Sequence, residues 1–362
     1  MTVTRITGTV RQMTAVEHAI DERALDDWIG ERLPAFGAPL TLECMGQGTG
    51  VANALYFLRR GGDEYVLRCP PPVVNTPGAS DMEREWRILT ALEGTEVPHP
   101  TPLLLASGTD TPTGGSFLIM GRVDGFTPVG VLPAPYDEAG ARRELAFAMV
   151  DAVAALGNVD WKARGLDGLG RPEGFLERQV KRWNGQLETY RTRDIPGLEN
   201  LSGWLDANRP TDYGVGLMHG DYSPFNVMAS PRDTTRLAAV IDWDTGTIGD
   251  PIMDIAHLLA RWTEPGEEPA IGVWDIGDGI AAQRKGLPTR AVLAQHYQDR
   301  SGRDLHALPF YQALALFKLA AILEGRTAQA HRRADEMAQR QWADMVDRLI
   351  DYANKFGSGE RT

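Results

Sequence analysis

The sequence predicts an α+β fold in which a small antiparallel-sheet lobe precedes a larger, mainly helical lobe. Five strand-like runs crowd between residues 40 and 123, helical periodicity takes over from about residue 136, and the composition is that of a globular chain with a sizeable core. The 362 residues suffice for two lobes that each bury a core, divided as 1–120 and 121–362. Hydrophobic residues at 43% and charged residues at 24% are ordinary for a soluble enzyme, and no apolar run is long enough to cross a bilayer.

The elements follow in order. Residues 15–33, AVEHAIDERALDDWIGERL, place Ala15, Ala19, Leu25, Trp28, Ile29 and Leu33 at helical spacing and stop before Pro34. LTLECMG and ALYFLRR read as strands, and the Gly61-Gly62 pair turns the chain into a third, DEYVLRC. Residues 81–93 return to helical spacing with Trp86, Leu89 and Leu92 on one face, before two more strands, PLLLASG and SFLIMGRV. Helices are expected over 137–157, 174–191 and 198–209, then a hairpin of VMAS and RLAAVIDW, then helices to the C-terminus. FYQALALFKLAAILE, residues 310–324, is interrupted by Lys318 and reads as a core helix.

A formal charge of −12 argues against nucleic acid as a partner, because such binding needs basic surface to displace counterions. The two cysteines, Cys44 and Cys69, are expected to be reduced and inert. The first residues, MTVTRITGTVRQM, lack the apolar centre of a signal peptide, so a cytoplasmic home is expected.

Two stretches carry chemistry. In GLMHGDYSPFNVMAS, His219, Asp221 and Asn226 stand at the spacing H-x-D-x-x-x-x-N among residues that turns favour. In AAVIDWDTGTIGDPIMDIAHLLARW an apolar strand ends on Asp242, and an acid at the end of a buried strand is costly unless it is paired or metal-bound. Asp250 and Asp254, further on, suit a turn brace and the first turn of a helix. The hairpin can bring Asn226 and Asp242 to one place, and two hard oxygen donors suit Mg²⁺ completed by waters and phosphates. With Asp221 facing an attacking hydroxyl, that set points to phosphoryl transfer.

HGDYSPFN followed by IDWDTGTIGDP resembles the aminoglycoside phosphotransferase family, relatives of choline kinases and, more distantly, of protein kinases. The resemblance runs from about residue 40 to 345 and implies a bilobal protein-kinase-like fold, with a nucleotide-clamping first lobe and a catalytic, acceptor-binding second lobe. Carried across, Asp221 is the catalytic base, Asn226 and Asp242 are the Mg²⁺ ligands, and His219 braces the loop. GQGTGVANALYFL, residues 46–58, is then the phosphate loop, with Gly48, Thr49, Gly50 and Asn53 as nucleotide contacts, although it departs from G-x-G-x-x-G. Arg68 stands where most kinases place a strand lysine, and Glu85 where a helix glutamate pairs with it; an arginine fork grips phosphate differently from an ammonium. FLIMGRVDG resembles the adenine-binding connection, with main-chain contacts at Gly121 and Val123.

Residues 159–188 are similar to a bacterial subgroup related to the kinase domains fused to acyl-CoA dehydrogenases in animals, though Leu156-Gly157 replaces the Leu-His of close relatives. Arg178, Gln179, Arg182 and Trp183 read as an amphipathic helix bracing the lobe. The function expected is transfer of the γ-phosphoryl of Mg·ATP, with GTP left open, to a hydroxyl of a small molecule. A nucleotide-binding regulatory module without transfer is the second reading, which the intact Asp221, Asn226 and Asp242 oppose. A metal-dependent hydrolase leaves the first lobe unexplained. The acceptor and the oligomeric state are not readable. Glu264, Glu267 and Glu268 fall where kinases of aminoglycosides bind their acceptor, but a solvated charged loop is the reading preferred for them.

Overall fold

The computed structural model describes residues 20–45, 53–70, 81–264, 267, 269 and 285–361. The chain forms two compact units, residues 1–86 with 102–122, and residues 87–101 with 123–362. It passes from the first to the second for the last time between Arg122 and Val123.

The first unit is built on five antiparallel strands: β1 (Leu40–Cys44), β2 (Ala54–Arg60), β3 (Asp63–Cys69), β4 (Pro102–Ala106) and β5 (Phe117–Gly121). Their order in the sheet is β1-β2-β3-β5-β4. Arg60 pairs with Asp63 across a two-residue turn, and Gly61 and Gly62 supply the positive φ angles of +62° and +108° that such a turn needs. Alternation sends Tyr56 and Leu58 of β2 and Tyr65, Leu67 and Cys69 of β3 into one core with Leu25, Ile29 and Phe117. Burial pushes the Cys69 thiol up to about 12, so it is a poor nucleophile.

Helix α1 (Glu22–Ile29) occupies the described part of the expected 15–33 helix, residues 15–19 lying outside the described residues. Asp21 caps it by accepting the N–H groups of Arg23 and Ala24, and it stops at Gly30, where φ turns to +51°. The fully buried Arg60 ties this helix to the sheet, with Nη1 donating to the Gly30 carbonyl at 2.7 Å and Nη2 3.0 Å from Asp26 Oδ1.

Helix α2 (Met82–Leu92) begins in the first unit, and its residues from Arg87 group with the second. The second unit holds α3 (Ala139–Gly157), α4 (Phe175–Tyr190), α5 (Leu198–Ala207), α6 (Ile252–Arg261), α7 (Arg290–Ser301), α8 (Leu308–Arg332) and α9 (Glu336–Ser358). Its centre is α8, which packs against α4, α6 and α9 and is buried through most of its length. Two short antiparallel ribbons carry the motif residues: β6 (Gly216–Met218) with β9 (Thr247–Gly249), and β7 (Val227–Ala229) with β8 (Leu237–Val240). The second is the expected hairpin. The first was not read from sequence, because three residues are too short to show a period. Phe126, just past the unit boundary, bridges Ala229 of β7, and Gly125 is needed there because a Cβ would lie 2.9 Å from the Ala229 carbonyl oxygen.

Candidate active site

The second unit assembles its motif residues around the loop that follows β6. Gly220 adopts φ +81°, and a Cβ there would come within 2.6 Å of the Thr245 carbonyl oxygen, so glycine is required twice over. The carboxylate of Asp254, in the first turn of α6, accepts the backbone N–H of His219 at 2.6 Å and that of Gly220 at 2.8 Å. On the other side the Lys318 ammonium, from α8, donates to the Gly220 carbonyl. Tyr222 donates its hydroxyl hydrogen to the Met149 carbonyl of α3 at 2.7 Å. The loop is therefore pinned by three different helices.

His219 braces from within. Its Nδ1 lies 3.3 Å from the Asp221 backbone N–H and must accept, which leaves the proton on Nε2 to donate to the Ile241 carbonyl at 2.9 Å. That bond joins the loop to the end of β8. From the same strand end, the Ile241 N–H donates to the Asn226 carbonyl at 2.9 Å, so Asp242 follows directly on a main-chain link to Asn226. Asp242 is held in the left-handed region, φ +66° and ψ +65°, an uncommon place for a non-glycine residue and one that clusters at functional sites.

Asn226, in the short turn Pro224–Asn226, donates through Nδ2 to the main-chain oxygen of Asp221 at 2.8 Å and to its Oδ2 at 3.1 Å. The amide nitrogen being committed, the side-chain oxygen is the atom left to meet a cation. The other carboxylate oxygen of Asp221, Oδ1, lies 3.2 Å from His257 Nε2. Burial by itself would push the Asp221 carboxyl up. The hydrogen bond from His257 and the charges of Lys318 and Arg261 outweigh that and hold it well below the ordinary range. Asp254 is shifted the other way, raised by burial despite the two amides it accepts.

The remaining sequence candidates belong to the first unit or to the boundary after it. Arg68 on β3 alternates away from Leu67 and Cys69, and its Nε lies 3.0 Å from Glu85 Oε2 on α2, with both side chains buried. Asn53 immediately precedes β2, Gly121 ends β5 opposite Tyr65, and Val123 is the first residue after the boundary. Gly48, Thr49 and Gly50 lie outside the described residues.

Asp254, His257, Arg261 and Lys318 were not chosen as site residues from sequence. Lys318 had a signal: it is the charge that interrupts the apolar run of α8. Asp250 is the turn brace expected, accepting from the Ile252 N–H at 3.1 Å and from the Tyr311 hydroxyl. The acidic loop is not simply solvated, for Glu264 accepts the Arg290 N–H, and Glu267 is gripped at 2.6 and 2.8 Å by the Arg290 fork and at 3.1 Å by Arg361. Glu268 lies outside the described residues. On α4, Trp183 is buried and donates to Gln179, as the amphipathic reading requires. Gly157 lies against Pro251, where a Cβ would approach to 2.8 Å.

A family model described as the phosphotransferase enzyme family matches residues 46–295. The chain belongs to that family. Acyl-CoA dehydrogenase family member 11 of Rattus norvegicus is 34% identical over 320 residues, which cover 85% of this chain but only 39% of that protein. The chain thus spans well under half the length of that relative. Viomycin phosphotransferase of Streptomyces vinaceus is 28% identical over 244 residues, 63% of this chain and 78% of that one.

Among solved structures, one from Ralstonia eutropha JMP134, described as a candidate aminoglycoside phosphotransferase, has a TM-score of 0.76 at 29% identity, covering 92% of this chain and 98% of its own. The GDP complex of aminoglycoside 2'-phosphotransferase-IIIa has a TM-score of 0.60 at 18% identity, covering 91% and 99%, and speaks for the fold alone. The fold is the bilobal, kinase-like one of these phosphotransferases.

Proposed function

We propose that this phosphotransferase moves the γ-phosphoryl group of Mg·ATP to a hydroxyl of a small molecule, with Asp221 facing the acceptor and Asn226 and Asp242 holding Mg²⁺. The observation that carries the reading is the convergence of the three residues on one loop-and-hairpin unit, joined by the Asn226 side chain and the Ile241 N–H. The donor set fits the metal: one amide oxygen and one carboxylate, both hard, suit an ion that keeps waters and phosphate oxygens as its other ligands. When bound, Mg²⁺ supplies neutralisation of charge on the transferring phosphates.

In the transfer, the acceptor oxygen forms a bond to the γ-phosphorus, the bond from phosphorus to the bridging oxygen breaks, ADP leaves, and the acceptor's proton passes to the Asp221 carboxylate. A carboxylate held well below its ordinary range is a weak base. Asp221 therefore acts chiefly by orienting the hydroxyl and receives the proton late, as a loose, positioning-dominated transfer requires. In the first unit, Arg68 is the cation offered to the nucleotide phosphates and Glu85 the carboxylate that holds it.

The test is thermal unfolding with and without Mg·ATP, for wild type and Asp242→Asn. At 100 times its dissociation constant the ligand adds about 2.7 kcal/mol to the wild type. The shift should need Mg²⁺ and should fade in the variant. Equal shifts with and without Mg²⁺, or in both proteins, would remove Asp242 from the metal site.

A further inference from the structure

The Asp221 carboxylate has two oxygens, and the structure gives each a separate neighbour. Oδ2 takes a hydrogen bond from Asn226 at 3.1 Å, and Oδ1 lies 3.2 Å from His257 Nε2. The carboxylate side chain is 46% exposed while the imidazole is 4% exposed, so one partner is open to an acceptor and the other is walled in. His257 lies on α6 one turn after Asp254, which clamps the two loop amides, and one turn before Arg261. One face of one helix thus meets both the main chain of the loop and the side chain it presents.

We propose that His257 is a positioning residue for phosphoryl transfer: its Nε2–H fixes one oxygen of Asp221 while Asn226 fixes the other, aiming the carboxylate at the acceptor hydroxyl. The proposal rests on the phosphotransfer reading above. The groups facing the imidazole are Asp221, Arg261, whose Nη1 lies 3.1 Å from the same Nε2, and the charge of Lys318. A guanidinium offers only N–H groups and a carboxylate only acceptors, so the position of the imidazole proton decides which neighbour is bonded. A bare Nε2 would accept from the Arg261 N–H but turn its lone pair toward the ionised Asp221, whereas Nε2–H donates to Asp221 and faces that N–H. The second arrangement, in which the carboxylate is bonded, is the one proposed. The buried ring, its pKa pushed down to about 4, stays neutral near pH 7 and adds no charge to compete with the metal's own field. Only its direction matters, because a misplacement of about 1 Å at a reacting group costs on the order of 10²-fold.

The test has two parts on the whole chain. The imidazole ¹⁵N resonances, with His257 assigned by its loss in His257→Gln, should show a protonated Nε2 and a bare Nδ1 near neutral pH. A bare Nε2 overturns the proposal whatever the kinetics, and this readout needs no turnover. ADP release from Mg·ATP with water as acceptor is then followed in wild type, Asp221→Ala, His257→Gln and His257→Asn. A glutamine amide nitrogen reaches the place of Nε2, and an asparagine nitrogen does not. His257→Gln should stay within about threefold of wild-type kcat, and His257→Asn should fall by about 10- to 100-fold, with the KM for ATP unchanged in both. Equal kcat in the two variants, or a loss expressed in KM alone, overturns the positioning role. Release that is absent in wild type, or unchanged in Asp221→Ala, counts against the phosphotransfer reading itself and takes this proposal with it. Release that Asp221→Ala abolishes and His257→Asn leaves intact overturns only the part given to His257.

Discussion

The two units hold their candidate residues in place by different means. In the sheet unit, Arg68 is placed by the ladder: its neighbours across β2 and β5 are Leu55 and Leu118, and strand alternation alone decides which way it points. One buried ion pair with Glu85 completes the arrangement. In the helical unit, Asp221 lies on an irregular loop that no ladder fixes, and five side chains from three stretches of the chain hold it: His219, Asn226, Asp254, His257 and Lys318. A residue on a strand inherits its position. A residue on a loop needs braces, each of which is a point at which activity can fail without loss of fold.

The largest effect is expected where position is inherited but charge is buried. Glu85→Ala strips the carboxylate from a buried guanidinium, and breaking such a pair costs about 3–5 kcal/mol, readable as a lower urea midpoint. The double variant Arg68→Met/Glu85→Leu sharpens the point, since replacing both partners by apolar groups of similar volume is often neutral. It should regain most of the lost stability while the thermal shift with Mg·ATP stays weak. Full recovery of both would mean that the pair serves the sheet and not the nucleotide.

Asp254→Asn should cost less in stability and more in rate. One carboxylate oxygen becomes an NH₂ group facing a backbone N–H, a lost hydrogen bond and an orphaned donor worth about 1–3 kcal/mol. The loop it clamps carries Asp221, so kcat should fall by at least about tenfold with the KM for ATP unchanged. A fall in stability with wild-type kcat would reduce Asp254 to a structural group.

Asp254 also marks how far the sequence can be read. The five strands of the sheet, the β7–β8 hairpin and the helices announce themselves through period and turn residues, and H-x-D-x-x-x-x-N is visible because its members are neighbours in the chain. Asp254 is 35 residues from His219, and Lys318 is 98 residues from Gly220. No local pattern links such pairs. Asp254 looked like an acid suited to a helix dipole and Lys318 like a break in an apolar run, and only the packing of α6 and α8 shows what each one touches.

The smallest effect tests the comparison through pH. Burial lowers the His257 pKa from 6.5 to about 4, against the pull of Asp221. Between those values the unfolded chain binds a proton that the folded chain refuses, so stability falls as pH drops through that window and levels off below it. The slope from this one residue is at most about 1.4 kcal/mol per pH unit. Asp221 is depressed as well, and the stability its ionised form contributes is lost only as pH falls further, below the ordinary carboxylate range. Urea midpoints for wild type and His257→Gln should therefore change relative to one another between about pH 6.5 and 4, the wild type losing stability there that the variant, lacking the histidine's share of the slope, keeps. Parallel profiles would mean that His257 titrates in the folded protein as it does in the unfolded one. The imidazole would then be solvated, Asp221 would lose its buried neighbour, and the contrast between a ladder-held cation and a brace-held carboxylate would rest on Asn226 and the main-chain clamps alone.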